Sequence, residues 1–453
     1  MGMRKFVVIL FLAIVFVFLA MLPSFGTKAC AADEIAIGVI GPMKFAYGKH
    51  MGNAADIAAD RINAAGGVKV QGKKYKVVVV KVDDNSFLSV PDAVSAMERL
   101  VTQNKVKYIF GGFRTEAVLP QQEIAADNKV LFVGSGAAHE ELCLKVAKDY
   151  NRYKYWFRAG PINSHLQPPQ YFAMLGPVIR ELNKIGVAKP KVALLIDKAA
   201  WAEEVVTHAQ NLIPQMGCEV IGTWRPGFTA TSLSAELSAI KSAGAHMIFM
   251  AHAGPAGGVI SRQWGELKIP AALTGVNTEA VRATQWTTSS GMCNYMMSAA
   301  GVAKGLAMTE NTLPFMDEFE KRFGETPLYT ATGTIDGINA WKNAVERANS
   351  FDVEKIIPAM EKTDLVGITL MRQQFTPVGS RAPHDLAFGP QHSTAIGLQW
   401  QDGKLVCFWP DGREIHPALI AAGQPAGWDK VAFKGSADYI LPPWIAEYWK
   451  DKK

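Results

Sequence analysis

A glycine-rich segment, Gly134–His139, follows an apolar run and reads GSGAAH. A dinucleotide-binding turn carries glycine at the sixth position, where this segment has His139, so that fingerprint is incomplete. The adjoining stretch His139–Cys143 reads HEELC and lacks the second histidine of a zinc-binding helix. The chain contains neither a GxxxxGK[ST] phosphate loop nor a GxSxG nucleophile elbow. We therefore expect no catalytic residue, no cofactor and no metal site.

Composition restricts the class of protein and of partner. The chain has 453 residues, of which 49% are hydrophobic and 19% charged, with a net charge of +6. Part of the positive excess lies in residues 1–31, which contain Arg4, Lys5 and Lys28 but no acid. Because no basic stripe or Lys/Arg run is present, we expect no nucleic-acid partner. The length predicts two or three domains, each with its own core.

The first residues have the pattern of a secretory signal. Arg4-Lys5 precedes an apolar run, Phe6–Leu22, and the small residues Ala29-Cys30-Ala31 follow before the chain becomes polar. This order predicts a signal peptide, residues 1–31, cleaved after Ala31. Two alternatives stay open, an uncleaved membrane anchor and a lipid-modified Cys30.

Cleavage leaves four cysteines in the mature chain, namely Cys143, Cys218, Cys293 and Cys407. In an oxidising compartment, four cysteines permit three complete disulfide pairings. They lie far apart in sequence and form no CxxC motif, so buried free thiols are an equally good interpretation.

Beyond Asp33, short apolar runs alternate with longer helical stretches, which is typical of an α/β protein with parallel sheets. The first set has predicted strands at 35–40, 75–82, 108–110 and 130–133, with helices at 52–65, 91–103 and 116–127. The second set has strands at 192–196, 219–223, 247–251 and 271–274, with helices at 169–185, 201–216, 232–243 and 257–267. Helices at 312–323, 329–348 and 353–361 follow, and Asp402-Gly403 predicts a hairpin turn. Two doubly wound halves place a ligand at the carboxyl ends of their strands, in a cleft between them.

Several short sequence segments follow one another in a recognisable order. They are Ile37–Pro42, Ile62–Val68, Val82–Asp84, Gly111-Gly112, Ser135–Ala138, Arg158–Pro161, Thr334–Gly337 and Gln399–Lys404. In order and spacing they resemble the periplasmic leucine/isoleucine/valine-binding protein family, the solute receptors of ABC-type amino-acid importers. The resemblance covers nearly the whole mature chain.

The resemblance implies an α/β fold of the type I periplasmic binding protein class, with two Rossmann-like lobes joined by three crossing strands. By similarity, the crossings lie near 158–161, 297–302 and 368–376. The N-terminal lobe then holds residues 33–159 and 300–367. The C-terminal lobe holds residues 160–299 and 368–453. Ligand binding would close the cleft by a hinge motion at the crossings.

The family holds a ligand carboxylate with a hydroxyl and backbone amides at helix starts, where unpaired N–H groups and the helix dipole favour an anion. The resemblance assigns the hydroxyl to Thr115, with Arg114 beside it as an additional cation. An alternative pairs Arg114 with the neighbouring Glu116 on a solvated rim.

The segment after the fourth strand of the family is matched by Gly136 and Ala137, with His139 where the family has a threonine. Capping of a helix N-terminus is the alternative role for His139.

Further positions matching the family's cleft are Tyr47 and Trp201, for which packing in the core is the alternative. The acid that holds a ligand ammonium in the family is matched directly by Asn277, and Glu279 follows two residues later. A buried ammonium without a carboxylate partner is costly. This departure favours a more negatively charged ligand, such as an aromatic or dicarboxylic acid, or a small amide.

The predicted function is that of a periplasmic, monomeric substrate-binding protein that performs no chemistry. It would capture a small amino acid or a related carboxylate or amide and deliver it to an ABC permease at the membrane. The alternative function is a ligand sensor of the same fold that signals to a membrane kinase or chemoreceptor.

Overall fold

The first part of the chain builds a six-stranded sheet. The computed structural model describes residues 33–450 and residue 452, so the predicted signal peptide and Cys30 lie outside the described residues. The strands are β1 (Asp33–Gly41), β2 (Val68–Val70), β3 (Lys73–Asp83), β4 (Tyr108–Gly111), β5 (Leu131–Gly134) and β6 (Trp156–Arg158). Their spatial order is β2-β3-β1-β4-β5-β6, with β1, β4, β5 and β6 paired in parallel.

The helices around this first sheet are α1 (Ala46–Ala64), α2 (Val90–Thr102), α3 (Thr115–Asp127), α4 (Glu141–Lys148) and α5 (Tyr150–Tyr153). Helix α2 begins after Ser89, whose side chain accepts the N–H of Asp92. Helix α1 begins at Ala46, six residues before the predicted start, and includes Gly48. A Cβ there would lie 2.4 Å from the Pro42 carbonyl carbon, so this glycine permits a close backbone approach and does not end the helix.

A second sheet has four parallel strands in the order β10-β9-β7-β8. They are β7 (Lys191–Ile196), β8 (Glu219–Trp224), β9 (Met247–His252) and β10 (Ala272–Asn277). The accompanying helices are α6 (Gln167–Ala173), α7 (Leu175–Lys184), α8 (Ala200–Gln215), α9 (Ser234–Ser242), α10 (Ala256–Glu266) and α11 (Thr284–Thr288). The single helix predicted over 169–185 is two helices, since Pro177 has no N–H and its ring would meet the carbonyl of Ala173.

The remainder of the chain adds helices and a small antiparallel sheet. The sheet has the order β11 (Met297–Ala300), β12 (Ile396–Gln401) and β13 (Lys404–Trp409). The helices are α12 (Thr312–Phe323), α13 (Tyr329–Ala348), α14 (Val353–Met360), α15 (Pro417–Ala421) and α16 (Pro443–Lys450). The hairpin predicted at Asp402-Gly403 joins β12 to β13, and both residues have positive φ, as its turn type requires.

These elements confirm the predicted α/β class with parallel sheets. The first predicted crossing begins at Arg158, where β6 ends, and the second contains β11. By contrast, residues 361–395 contain only isolated bridges, such as Phe375 with Leu386. The third crossing is therefore not a regular strand. The boundaries proposed for the two lobes stay a prediction. No helix within residues 33–450 is long and apolar enough to cross a membrane.

A buried ion pair ties β6 to the irregular stretch. Arg158 Nε donates to Asp385 Oδ1 at 2.8 Å, and both side chains are almost fully buried. Asn163 Nδ2 donates to the second carboxylate oxygen at 2.9 Å, and Arg158 also donates to the carbonyls of Ala137 and His139. Because its hydrogen-bonding groups are satisfied, this pair can hold several chain segments together at the first crossing.

The four cysteines, Cys143, Cys218, Cys293 and Cys407, are buried free thiols in the structure, and burial raises the pKa of each. Of the two interpretations that the sequence permits, the free-thiol one is therefore confirmed.

Candidate ligand-binding site

A cavity of about 780 Å³ lies between the first and second sheets. Part of its wall comes from segments that follow the strands of both sheets at their carboxyl ends, and the rest comes from the third sheet and the start of α13 with the loops beside them. From the first sheet these are 87–88, 113–116, 136, 138 and 159–162; from the second they are 198–199, 201, 228–229, 253 and 278. This is the position that the two doubly wound halves predict for a ligand.

Thr115 is the first residue of α3 and lies at the wall of this cavity. Its side chain is buried, and its hydroxyl has no hydrogen-bond partner among the described residues. A buried hydroxyl without a partner costs about 1–3 kcal/mol. The first backbone N–H groups of a helix also lack partners within the helix and favour an anion. Thr115 and the start of α3 therefore offer hydrogen-bond donors to a ligand oxygen.

Arg114 lies at the edge of the cavity and precedes α3. Its Nη1 donates to the carbonyls of Ser86 at 3.3 Å and Phe87 at 3.2 Å, and its Nε lies 3.5 Å from Glu116 Oε2. The guanidinium carbon is 5.9 Å from the ring centre of Phe228. The pairing with Glu116 that the sequence leaves open is therefore present, and two carbonyls hold the cation beside the cavity.

Aromatic side chains form much of the wall. Trp201, predicted from the sequence, lines the cavity and packs against the cores of both sheets. Sequence reasoning missed Phe113, Phe228, Tyr171 and Tyr329, which also line it. Two of them could have been predicted from their place in the sequence, because Phe113 follows the end of β4 and Phe228 follows the end of β8.

Tyr47 and Glu279 bind each other and do not line the cavity. The Tyr47 hydroxyl donates to Glu279 Oε1 at 2.7 Å and lies 2.7 Å from Thr278 Oγ1. Arg282 Nη1 donates to Glu279 Oε2 at 2.9 Å. Burial raises the pKa of Tyr47 well above its usual range, and the charge of Glu279 raises it further. Tyr47 belongs to α1 and Glu279 follows β10, so this cluster joins the two sheets across the cleft.

Three other predicted residues also lie outside the cavity wall, and each makes a hydrogen bond in which one partner is a backbone group. Asn277 is buried, and its Nδ2 donates to the Gly257 carbonyl at 2.8 Å. His139 Nδ1 accepts the N–H of Glu141, the first residue of α4, at 3.1 Å; His139 thus bonds the start of this helix from one position before the N-cap residue, Glu140. Ala137 directs its carbonyl to Arg158. Gly136, by contrast, lines the cavity as predicted.

The cavity wall carries more positive than negative charge. Its ionisable lysine, arginine, aspartate and glutamate residues are Arg114, Lys198, Lys304, Lys404, Glu116 and Asp336. Burial raises the pKa of Asp336 to about 7, so this carboxyl is partly neutral near neutral pH. The wall thus carries four basic side chains against two carboxyls, which favours an anionic ligand.

The model of the family described as periplasmic binding protein matches residues 34–393. Leu/Ile/Val-binding protein homolog 7 from Brucella abortus (strain 2308) is 24% identical over 411 residues, covering 85% of this chain and 94% of the relative.

Among solved structures, the branched-chain amino acid transporter substrate binding protein LivJ from Streptococcus pneumoniae, in complex with isoleucine, superposes with a TM-score of 0.67. The match covers 82% of this chain and 98% of LivJ at 21% identity. An ABC transporter solute binding protein from R. palustris, in complex with benzoate, also gives a TM-score of 0.67, with 83% and 95% covered at 14% identity. The chain has the type I fold of these solute-binding proteins and belongs to the periplasmic binding protein family.

Proposed function

We propose that this protein is the periplasmic substrate-binding component of an ABC-type importer and that it captures a small organic carboxylate between its two sheets. The observation that carries the proposal is the buried, unpartnered hydroxyl of Thr115 at the cavity wall, at the start of α3. A carboxylate oxygen there would accept from that hydroxyl and from the first N–H groups of the helix.

A ligand with an aromatic or apolar body fits the remainder of the wall, where Trp201, Phe113 and Phe228 contribute rings. The solved relatives bind isoleucine in one case and benzoate in the other, and both molecules carry a carboxylate.

An acid without an ammonium group suits this site better than an amino acid. Glu279, two residues after the matched position Asn277, already accepts hydrogen bonds from Tyr47 and Arg282 and does not line the cavity. Asn277 is neutral and donates to a backbone carbonyl. An amino-acid ligand would have to draw Glu279 away from two partners, whereas an aromatic acid requires no such change.

Closure of the cleft accompanies binding in this proposal. Besides the Tyr47–Glu279 contact, Glu116 Oε1 accepts the N–H of Ala200 at 3.1 Å across the same cleft. These contacts exist only when the two sheets approach each other. The closed monomer, with lobes bounded as the sequence predicts, is the form that the permease would receive.

Titration calorimetry on the protein freed of bound ligand tests this function, with benzoate, 4-hydroxybenzoate and isoleucine as ligands. Thr115→Val keeps the side-chain shape and removes the hydroxyl, so we expect it to weaken binding of the preferred acid about 10-fold or more. Thr332→Val is the matched control, because Thr332 also lines the cavity but its hydroxyl already donates to the Tyr329 carbonyl. Equal affinities for the wild type and Thr115→Val would contradict the proposed carboxylate site.

A further inference from the structure

A cluster of side chains that could bind a metal ion lies outside the cavity, on α8 and in the loop before α6. His165 is in the loop before α6, and Glu204 and His208 lie four residues apart on α8. Residues four apart on a helix occupy the same face. One nitrogen from each histidine and one carboxylate oxygen all lie within 4.8 Å of one another.

Two imidazoles and a carboxylate are a donor set typical of Zn²⁺ in proteins, with a fourth position left for water. Ligand atoms about 2.0–2.2 Å from a tetrahedral ion are roughly 3.4 Å apart. The cluster therefore needs only small side-chain rotations to reach that geometry, and the two histidine rings already lie 5.2 Å apart between centres.

The hydrogen bonds of the cluster leave one ligand position open. Ser164 Oγ donates to Glu204 Oε1 at 2.9 Å, which orients the carboxylate. The other oxygen, Oε2, is buried without a hydrogen-bond partner and lies 3.7 Å from His165 Nδ1. Outer partners of this kind fix the orientation of metal ligands.

A nearby cation, Arg381, is paired with Glu140 at 2.7 Å, which reduces its repulsion of a metal ion at the cluster.

We propose that His165, Glu204 and His208 form a binding site for one divalent transition-metal ion of the Zn²⁺ class. The site is separate from the ligand cavity, since none of the three residues lines it. It would join the loop that follows the first predicted crossing to α8, which carries Trp201 in its first turn. A bound ion would thus restrain one wall of the ligand cavity.

Calorimetric titration of Zn²⁺ into the untagged, chelator-treated protein tests the site directly. We expect one equivalent to bind and to raise the melting temperature by about five degrees at 100 times the dissociation constant. His208→Gln and Glu204→Gln should each weaken binding by about 100-fold or more, since even outer-partner changes cost 10–100-fold. Co²⁺ should give the visible absorption of a tetrahedral complex in the wild type but in neither cluster variant.

The matched control is His416→Gln, because His416 is exposed, caps the short helix α15 and is not one of the three cluster residues. It should bind Zn²⁺ like the wild type. Circular dichroism confirms that each variant is folded. Absence of stoichiometric binding to the wild type would overturn the proposal. Binding that survives both cluster substitutions, or that His416→Gln abolishes, would place the ion elsewhere and overturn it equally.

Discussion

Replacing Tyr47 with phenylalanine should weaken ligand binding without unfolding the protein. The substitution removes one hydroxyl that donates to Glu279 at 2.7 Å and contacts Thr278 at 2.7 Å. The ring remains and keeps its stacking on Phe113, 4.5 Å away between centres. The change is therefore confined to the hydrogen bonds that join α1 to the segment after β10.

The expected size follows from the partners that stay behind. A hydrogen bond to a charged group contributes about 1.5–3 kcal/mol. Glu279 keeps its bond from Arg282, so its carboxylate is not left buried alone. In an open cleft the Tyr47 hydroxyl would bind water instead. The loss of about 2 kcal/mol thus falls on the closed state and raises the dissociation constant roughly 30-fold.

Calorimetry with the acid that binds the wild type measures this change, and urea denaturation of the ligand-free protein measures stability alongside it. Tyr75→Phe is the matched control, because Tyr75 lies on β3 outside the cavity wall and packs on Phe351. The reasoning is refuted if Tyr47→Phe binds as tightly as the wild type. A lower free energy of unfolding with unchanged affinity would assign the contact to folding alone.

Three further substitutions test other parts of the structure. Arg158→Met should lower the free energy of unfolding in urea by about 3–5 kcal/mol, because Asp385 would stay buried without its cation; a loss below about 1 kcal/mol would contradict this. Trp201→Ala should weaken ligand binding about 10-fold or more while the far-ultraviolet circular dichroism stays unchanged, whereas global unfolding would make it a core residue. Because burial raises the pKa of Asp336 to about 7, the wild type should lose stability relative to Asp336→Asn as pH rises from about 4 to 7, by a few kcal/mol; a constant difference over that range would show that the carboxyl titrates normally.

The sign of the Asp336 prediction follows from proton binding. A carboxyl whose pKa is raised on folding holds its proton in the native state at pH values where the unfolded chain has released it. Its favourable contribution is therefore greatest at low pH and is lost as pH rises through the folded pKa.

The α/β alternation could be predicted from sequence because local patterns determine it. The predicted bounds of the helices Thr312–Phe323 and Tyr329–Ala348 agree with the structure residue for residue. One exception is local: Gly48 lies inside α1, where the backbone of Pro42, six residues earlier, passes close to it. The other depends on contacts more remote in sequence, because the stretch 368–376 is held by side chains such as Asp336, which accepts the N–H of Ile368.

The site was predictable where position on the fold decides it and unpredictable where side-chain pairing does. Thr115 and Trp201 follow strands β4 and β7, so topology alone takes them to the cavity. Glu279 follows a strand as well, but its hydrogen bond with Tyr47, 232 residues away, turns it from the cavity. The proposed metal site was likewise predictable only in part. The spacing of Glu204 and His208 places them on one helix face, whereas only the folded chain brings His165 to them.

The most direct test of the central claim is the thermal stability of the ligand-free protein with pairs of small acids and their neutral primary amides. A ligand at 100 times its dissociation constant stabilises by about 2.7 kcal/mol, a shift of about five degrees or more for lobes of roughly 200 residues. We predict that at least one aromatic or aliphatic acid produces this shift, that its amide does not, and that Thr115→Val abolishes it. An amide that stabilises as strongly as its acid, or stabilisation that survives loss of the Thr115 hydroxyl, would contradict a carboxylate receptor built at the start of α3.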